Sequence, residues 1–145
     1  MKPLVLVVLS MVFLVPHLSL AQNVNLGIPT GHTQDITEAT FSPDGNHILT
    51  TSMDKSAILW QTGTGKVLFV LQGHEGVVSD GQFSPDGQYI VTASADNTAI
   101  IWDVATGNLV HVLRGHGDWV KQATYSSDGR YVVTASSDQT ARIWE

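Results

Sequence analysis

The side chains suited to acid–base or nucleophilic chemistry come as three matching sets. His32, Ser52 and Asp54 return as His74, Ser94 and Asp96, and again as His116, Ser136 and Asp138, each set displaced by 42 residues. A serine, a histidine and an aspartate are the parts of a hydrolytic triad, in which the base takes the nucleophile's proton and the carboxylate orients the imidazole. A triad also needs one cleft and a dedicated oxyanion site, and side chains that recur in register three times do not have the singularity of a catalytic centre. The histidines are poor metal ligands for the same reason. His32, His74 and His116 fall in separate repeats, His47 and His111 stand alone, and no metal site or cofactor is expected. Catalytic residues are expected to be none.

The elements that position these side chains are clearest in the middle repeat. Val78 to Phe83 reads as a strand ended by Ser84-Pro85-Asp86-Gly87, where proline presets the second turn position and glycine supplies the permissive fourth. Tyr89 to Ala93 is a second strand rich in β-branched and aromatic residues. The Asp96-Asn97 turn leads to a third, Ala99 to Trp102, and Thr106-Gly107-Asn108 to a fourth, Leu109 to Leu113. The first repeat matches at Phe41-Ser42-Pro43-Asp44-Gly45 and Ile58-Leu59-Trp60. The third matches at Tyr125-Ser126-Ser127-Asp128-Gly129 and Ile143-Trp144, and reaches Glu145 before a fourth strand.

The run Gly73-His74, Phe83-Ser84-Pro85-Asp86-Gly87, Ser94-Ala95-Asp96 and Trp102-Asp103 resembles a repeat of the WD-repeat β-propeller family, whose period is about 40–45 residues. The likeness covers residues 31 to 145. Trp60 is followed by Gln61 and Trp144 by Glu145, so the eponymous dipeptide is intact once. The implied fold is all-β: a partial WD-repeat propeller of three four-stranded antiparallel blades (31–72, 73–114, 115–145), the last without its own outer strand. The resemblance further implies that His32, Ser52, Asp54 and Trp60 form a hydrogen-bonded chain within one blade, repeated by His74, Ser94, Asp96 and Trp102 and by His116, Ser136, Asp138 and Trp144. The donor inventory agrees, since an indole N–H only donates, a carboxylate only accepts, and histidine and serine do both.

If the scaffold repeats, recognition belongs where the repeats differ. Asp35, Val77 and Trp119 share one first-strand position; Thr37, Ser79 and Lys121 lie two residues on; Met53, Ala95 and Ser137 precede the turn aspartates. Positions like these line the narrow channel face in the family, and Trp119 is the strongest candidate because aromatic anchors dominate binding hot spots. The competing role for Trp119 is packing against a neighbouring blade. The reading is a non-catalytic protein- or peptide-binding scaffold. The alternative is a fragment or accessory part of a secreted propeller enzyme, or of a larger multi-blade regulatory protein.

Residues 1 to 21 differ from the rest. Met1-Lys2, the apolar run Leu4 to Val15, Pro16 and the small-residue ending Ser19-Leu20-Ala21 read as a signal peptide cleaved after Ala21. The run is short of the roughly 20 apolar residues of a spanning helix, so a secreted or periplasmic protein with no stable membrane span is expected. The net charge of −6 and the absence of a basic cluster exclude a general electrostatic grip on nucleic acid. With no cysteine in the chain, no disulfide framework exists.

Propellers close with about four to eight blades. Three would leave two faces and two edges uncovered, and free strand edges are templates for association. The chain is expected to be part of a longer propeller, a homodimer whose segment Val24-Asn25-Leu26-Gly27-Ile28 within residues 22–30 supplies a missing outer strand, or an open arc. The edge argument favours the first.

Overall fold

The computed structural model describes residues 31–145; the expected leader (1–21) and the segment 22–30 lie outside the described residues. Eleven strands are present among them: β1 (Ile36–Phe41), β2 (His47–Ser52), β3 (Ser56–Gln61), β4 (Lys66–Gln72), β5 (Val78–Phe83), β6 (Tyr89–Ser94), β7 (Thr98–Asp103), β8 (Leu109–Arg114), β9 (Val120–Tyr125), β10 (Val132–Ser136) and β11 (Ala141–Trp144). They form three antiparallel sheets in the orders β1-β2-β3-β4, β5-β6-β7-β8 and β11-β10-β9. These are the three expected blades, the third with three strands among the described residues.

The first hairpin of each blade is held by its own side chains. In blade 1 the Ser42 hydroxyl donates to Asp44 Oδ1 at 2.6 Å, the Asn46 N–H reaches the same oxygen at 3.0 Å, and Ser42 Oγ accepts the His47 N–H at 2.9 Å. Blade 3 has Ser127 where the other blades have proline, yet Ser126 still donates to Asp128 at 2.6 Å. Proline is therefore dispensable to this turn. The serine–aspartate pair is the common element.

The core lies between blades rather than inside one. Leu49, Leu59 and Leu71 of blade 1 pack against Ile90, Ile100 and Trp102 of blade 2; Val91, Ala93 and Ala99 of blade 2 pack against Val120, Ala123 and Val132 of blade 3. A middle strand such as β6 is thus covered on both faces, which explains its unbroken burial from Ile90 to Ser94. Each fully buried aliphatic side chain contributes about 1.5–3 kcal/mol. The two blades meet closely at Gly81, where a Cβ would stand 2.8 Å from Thr51 Cγ2 and 2.9 Å from Leu49 Cδ2.

Each first strand carries a bulge. Pairing of β1 with β2 skips Thr37, pairing of β5 with β6 skips Ser79, and pairing of β9 with β10 skips Lys121. A bulged residue is re-aimed out of the ladder, and Thr37 and Ser79 are thereby aimed at the next blade.

Candidate functional site

The recurring polar residues form one relay per blade. In blade 2 the Trp102 indole N–H donates to Thr92 Oγ1 at 2.9 Å, Thr92 Oγ1 lies 2.8 Å from His74 Nε2, and His74 Nδ1 lies 2.8 Å from Asp96 Oδ2. Blade 1 repeats it with Trp60, Thr50, His32 and Asp54, and blade 3 with Trp144, Thr134, His116 and Asp138. The proton assignment that satisfies all four groups with a neutral imidazole runs one way: indole to threonine, threonine to Nε2, and Nδ1–H to the carboxylate. The hydroxyl's proton is thereby committed to the ring. Nothing in this chain of bonds leaves a nucleophile facing a cleft.

The hydroxyl at the centre belongs to threonine, and this corrects the expectation that Ser52, Ser94 and Ser136 occupy it. In blade 1 Ser52 Oγ instead donates to the Asp35 carbonyl at 2.9 Å and accepts the Asp54 N–H at 3.1 Å; Ser94 and Ser136 likewise accept the N–H of Asp96 and Asp138. Register is the reason. Thr50 pairs with Ile58, placing Trp60 on the cross-strand diagonal that a long aromatic side chain can reach, whereas Ser52 is a further pair away at the strand's end.

The aspartates also hold their loops. Asp54 accepts the Thr33 N–H at 2.9 Å, the Ser56 N–H at 3.0 Å and the Ser56 hydroxyl at 2.6 Å. Desolvation would lift its carboxyl. The Ser56 hydroxyl, the Thr33 N–H and His32 outweigh that and hold it down at about 2. Asp96 and Asp138 are also held below the ordinary carboxylate range. Burial opposes the shift at Asp96 and is outweighed by His74 and Thr98, while the Thr140 hydroxyl leads at Asp138.

The residues expected to bind a partner divide into two groups. Met53 N–H donates to the Asp35 carbonyl at 3.0 Å, Ala95 to Val77 at 2.9 Å, and Ser137 to Trp119 at 2.8 Å, so these six stand in three equivalent pairs at the same end of each blade. Trp119 is 39% exposed. Thr37 and Ser79, by contrast, are engaged between blades, because the bulge turns them there: Thr37 donates to the Val78 carbonyl at 2.5 Å and Ser79 to the Val120 carbonyl at 3.0 Å. Ser79 Oγ also accepts the Trp119 indole N–H at 3.3 Å, so it orients the aromatic ring of the following blade. The two roles weighed for Trp119 coexist, with the N–H tied to a neighbour and the ring partly open to solvent. Lys121 is exposed.

Sequence reasoning missed the acids between blades. Glu38 Oε2 accepts the Gly81 N–H at 2.9 Å, and Asp80 Oδ2 accepts the Ala123 N–H at 2.8 Å. Desolvation, joined by the neighbouring Asp80 carboxylate, pushes Glu38 up to about 7. The available signal was an acid at the same first-strand register in consecutive repeats, with Gln122 in the third.

A family model described as "WD domain, G-beta repeat" matches residues 23–61, 65–103 and 107–145. The chain belongs to this WD-repeat family. The family frame opens each WD repeat at Asn23, Gly65 and Gly107, ahead of the Gly-His step, so it assigns each outer strand to the repeat that follows it. The chain is also similar to "Protein HIRA" of Dictyostelium discoideum, 53% identical over 32 residues, a stretch covering 22% of this chain and 3% of that protein. WD repeats are generally non-catalytic platforms for protein contacts. Among the described residues no helix is long and apolar enough to cross a membrane.

Proposed function

We propose that this chain is an exported, non-catalytic scaffold that binds a protein or peptide across the end of the arc where Trp119, Met53 and Asp35 stand. The observation that carries the reading is Trp119: a large aromatic side chain, 39% exposed, with its N–H anchored on Ser79 and exposed Asp118 and Lys121 beside it. An anchored aromatic loses little freedom when a partner covers it, which is why such residues act as hot spots. The non-catalytic part is supported by the relay, whose hydroxyls and imidazoles are buried and mutually satisfied. Export rests on the composition of residues 1–21.

The test is selection of peptides from a random displayed library on the purified protein, followed by titration of the enriched peptides against the wild type and Trp119→Ala. The reading predicts that Trp119→Ala weakens binding at least about tenfold, the loss of one hot spot. Unchanged affinity would overturn it. For export, the N-terminal sequence of protein recovered outside the cytoplasm is expected to begin at Gln22. Protein kept inside with Met1 in place would contradict the leader.

A further inference from the structure

Three consecutive residues of β5 tie blade 2 to both of its neighbours. The Gly81 N–H donates to Glu38 Oε2 of blade 1 at 2.9 Å, Asp80 Oδ2 accepts the Ala123 N–H of blade 3 at 2.8 Å, and Ser79 donates to the Val120 carbonyl at 3.0 Å. Ser79 Oγ also accepts the Trp119 indole N–H at 3.3 Å. The strand has no slack on its blade 1 side, since a Cβ on Gly81 would meet Thr51 at 2.8 Å and Leu49 at 2.9 Å. A change in how Asp80 and Gly81 sit against blade 1 is therefore passed to the seat of Trp119.

Two acids meet at this place. Asp80 is 5% exposed and Glu38 is half-buried, and a side-chain hydrogen bond joins them. Two carboxyl groups can hydrogen-bond only with a proton between them. Among the described residues the ion pairs within 4.0 Å are His32–Asp54, His74–Asp96 and His116–Asp138, so no cation stands against either acid. The strands packed against β1 and β5 bring little other charge. His47 of β2 and Tyr89 of β6 lie at the opposite ends of their strands from Thr51 and Ala93, the residues paired with Glu38 and Asp80. On β9, Lys121 is exposed and burial pushes the Tyr125 phenol up, which keeps it neutral; Asp35, ahead of β1, is exposed. Two adjacent carboxylates with no cation cannot both ionise without a large cost.

We propose that Glu38 and Asp80 hold one shared proton between blades 1 and 2, and that its release repositions Ser79 and the Trp119 side chain seated on it. With the proton in place the two acids attract, and each still accepts its backbone N–H. When the proton passes to solvent, two carboxylates face each other and repel. Asp80 lies between Ser79 and Gly81 in the chain, and Gly81 has no room to retreat into blade 1, so the displacement is taken up toward β9. Burial and the neighbouring carboxylate hold Glu38 at about 7, so the change falls at neutral pH. The device is confined to one junction, because Gln122 stands at the same register in blade 3 and leaves Asp80 without a second acid there. Its consequence for partner binding rests on the reading of Trp119 given above. The proton and the movement do not.

The test follows the N–H signals of the isotope-labelled full chain by NMR across neutrality, from about pH 5 to about pH 9. The Gly81 and Ala123 amides and the Trp119 indole are expected to move together, with one midpoint near 7. Glu38→Gln keeps an acceptor for the Gly81 N–H and offers an amide N–H to Asp80, so it imitates the protonated pair and abolishes the transition at all three signals. Asp80→Asn keeps an acceptor for the Ala123 N–H and removes the facing charge, so the Gly81 midpoint moves to lower pH. Histidine is the side chain that ordinarily titrates in this range. A transition that survives Glu38→Gln belongs to a histidine and overturns the proposal. So does the absence of any transition, or a Gly81 signal that titrates while the Trp119 indole stays fixed. Peptide binding by wild type and Trp119→Ala is read separately, so a failure of the binding surface leaves these signals as they are.

Discussion

The Trp102 indole N–H meets the Thr92 hydroxyl at 2.9 Å, and the same oxygen lies 2.8 Å from His74. Through that one atom the third strand of the blade is tied to the second, and the second to the loop that enters the blade. Asp96 then fixes that loop by accepting the Glu75 N–H at 2.9 Å. Three copies of the arrangement account for the three sets of residues that look at first like catalytic parts.

Acid stability follows from the aspartates. Asp54 sits at about 2 against an ordinary value of 3.8, so its contribution is fully present above about pH 4 and is lost as pH falls toward 2. Asp96 and Asp138 are held low in the same sense. Urea midpoints measured from pH 5 to pH 2 should fall steeply, and Asp54→Asn should flatten part of that fall. A curve of unchanged slope would remove Asp54 from the account.

Glu38 has the opposite sign. Its folded value of about 7 lies above the ordinary 4.5, so the folded state holds an extra proton in that window and stability declines as pH rises from 4.5 to 7. Glu38→Gln keeps the acceptor for the Gly81 N–H and removes the charge, as Gln122 does in blade 3. Because the group is partly open to solvent, the gain at pH 8 is expected to be about 1 kcal/mol, with little change at pH 4.5. Loss of stability at pH 8 would contradict the assignment.

The fit between blades 1 and 2 is tested at Gly81. A methyl there meets Thr51 and Leu49, both buried, and Gly81→Ala should cost about 1–3 kcal/mol by overpacking. Gly63, with nothing within 4 Å of an added Cβ, is the control and should tolerate alanine within about 0.5 kcal/mol. Equal effects at the two glycines would mean that the blades do not meet as described.

The strands and turns were legible because each is encoded locally. Ser84-Pro85-Asp86-Gly87 states its turn, and Tyr89 to Ala93 states a strand covered on both faces. The relay was legible in membership at its ends and misread at its centre, because Ser94 recurs with the same period as Thr92 and only cross-strand register tells them apart. Periodicity gives which residues repeat; it does not give which of two hydroxyls lies diagonal to Trp102. Thr37 and Ser79 were misassigned for a related reason. A bulge is invisible in a pattern of alternation, and it turned two apparent surface residues toward the neighbouring blade.

Whether the repeated polar residues are architecture is tested most directly by the unfolding free energy of Thr92→Val, which preserves shape while leaving the Trp102 N–H and His74 Nε2 buried without a partner. The account predicts a loss of about 2–6 kcal/mol, two stranded groups at about 1–3 each, against about 1 kcal/mol for Ser94→Ala. A Thr92→Val protein as stable as the wild type, or less affected than Ser94→Ala, would contradict it.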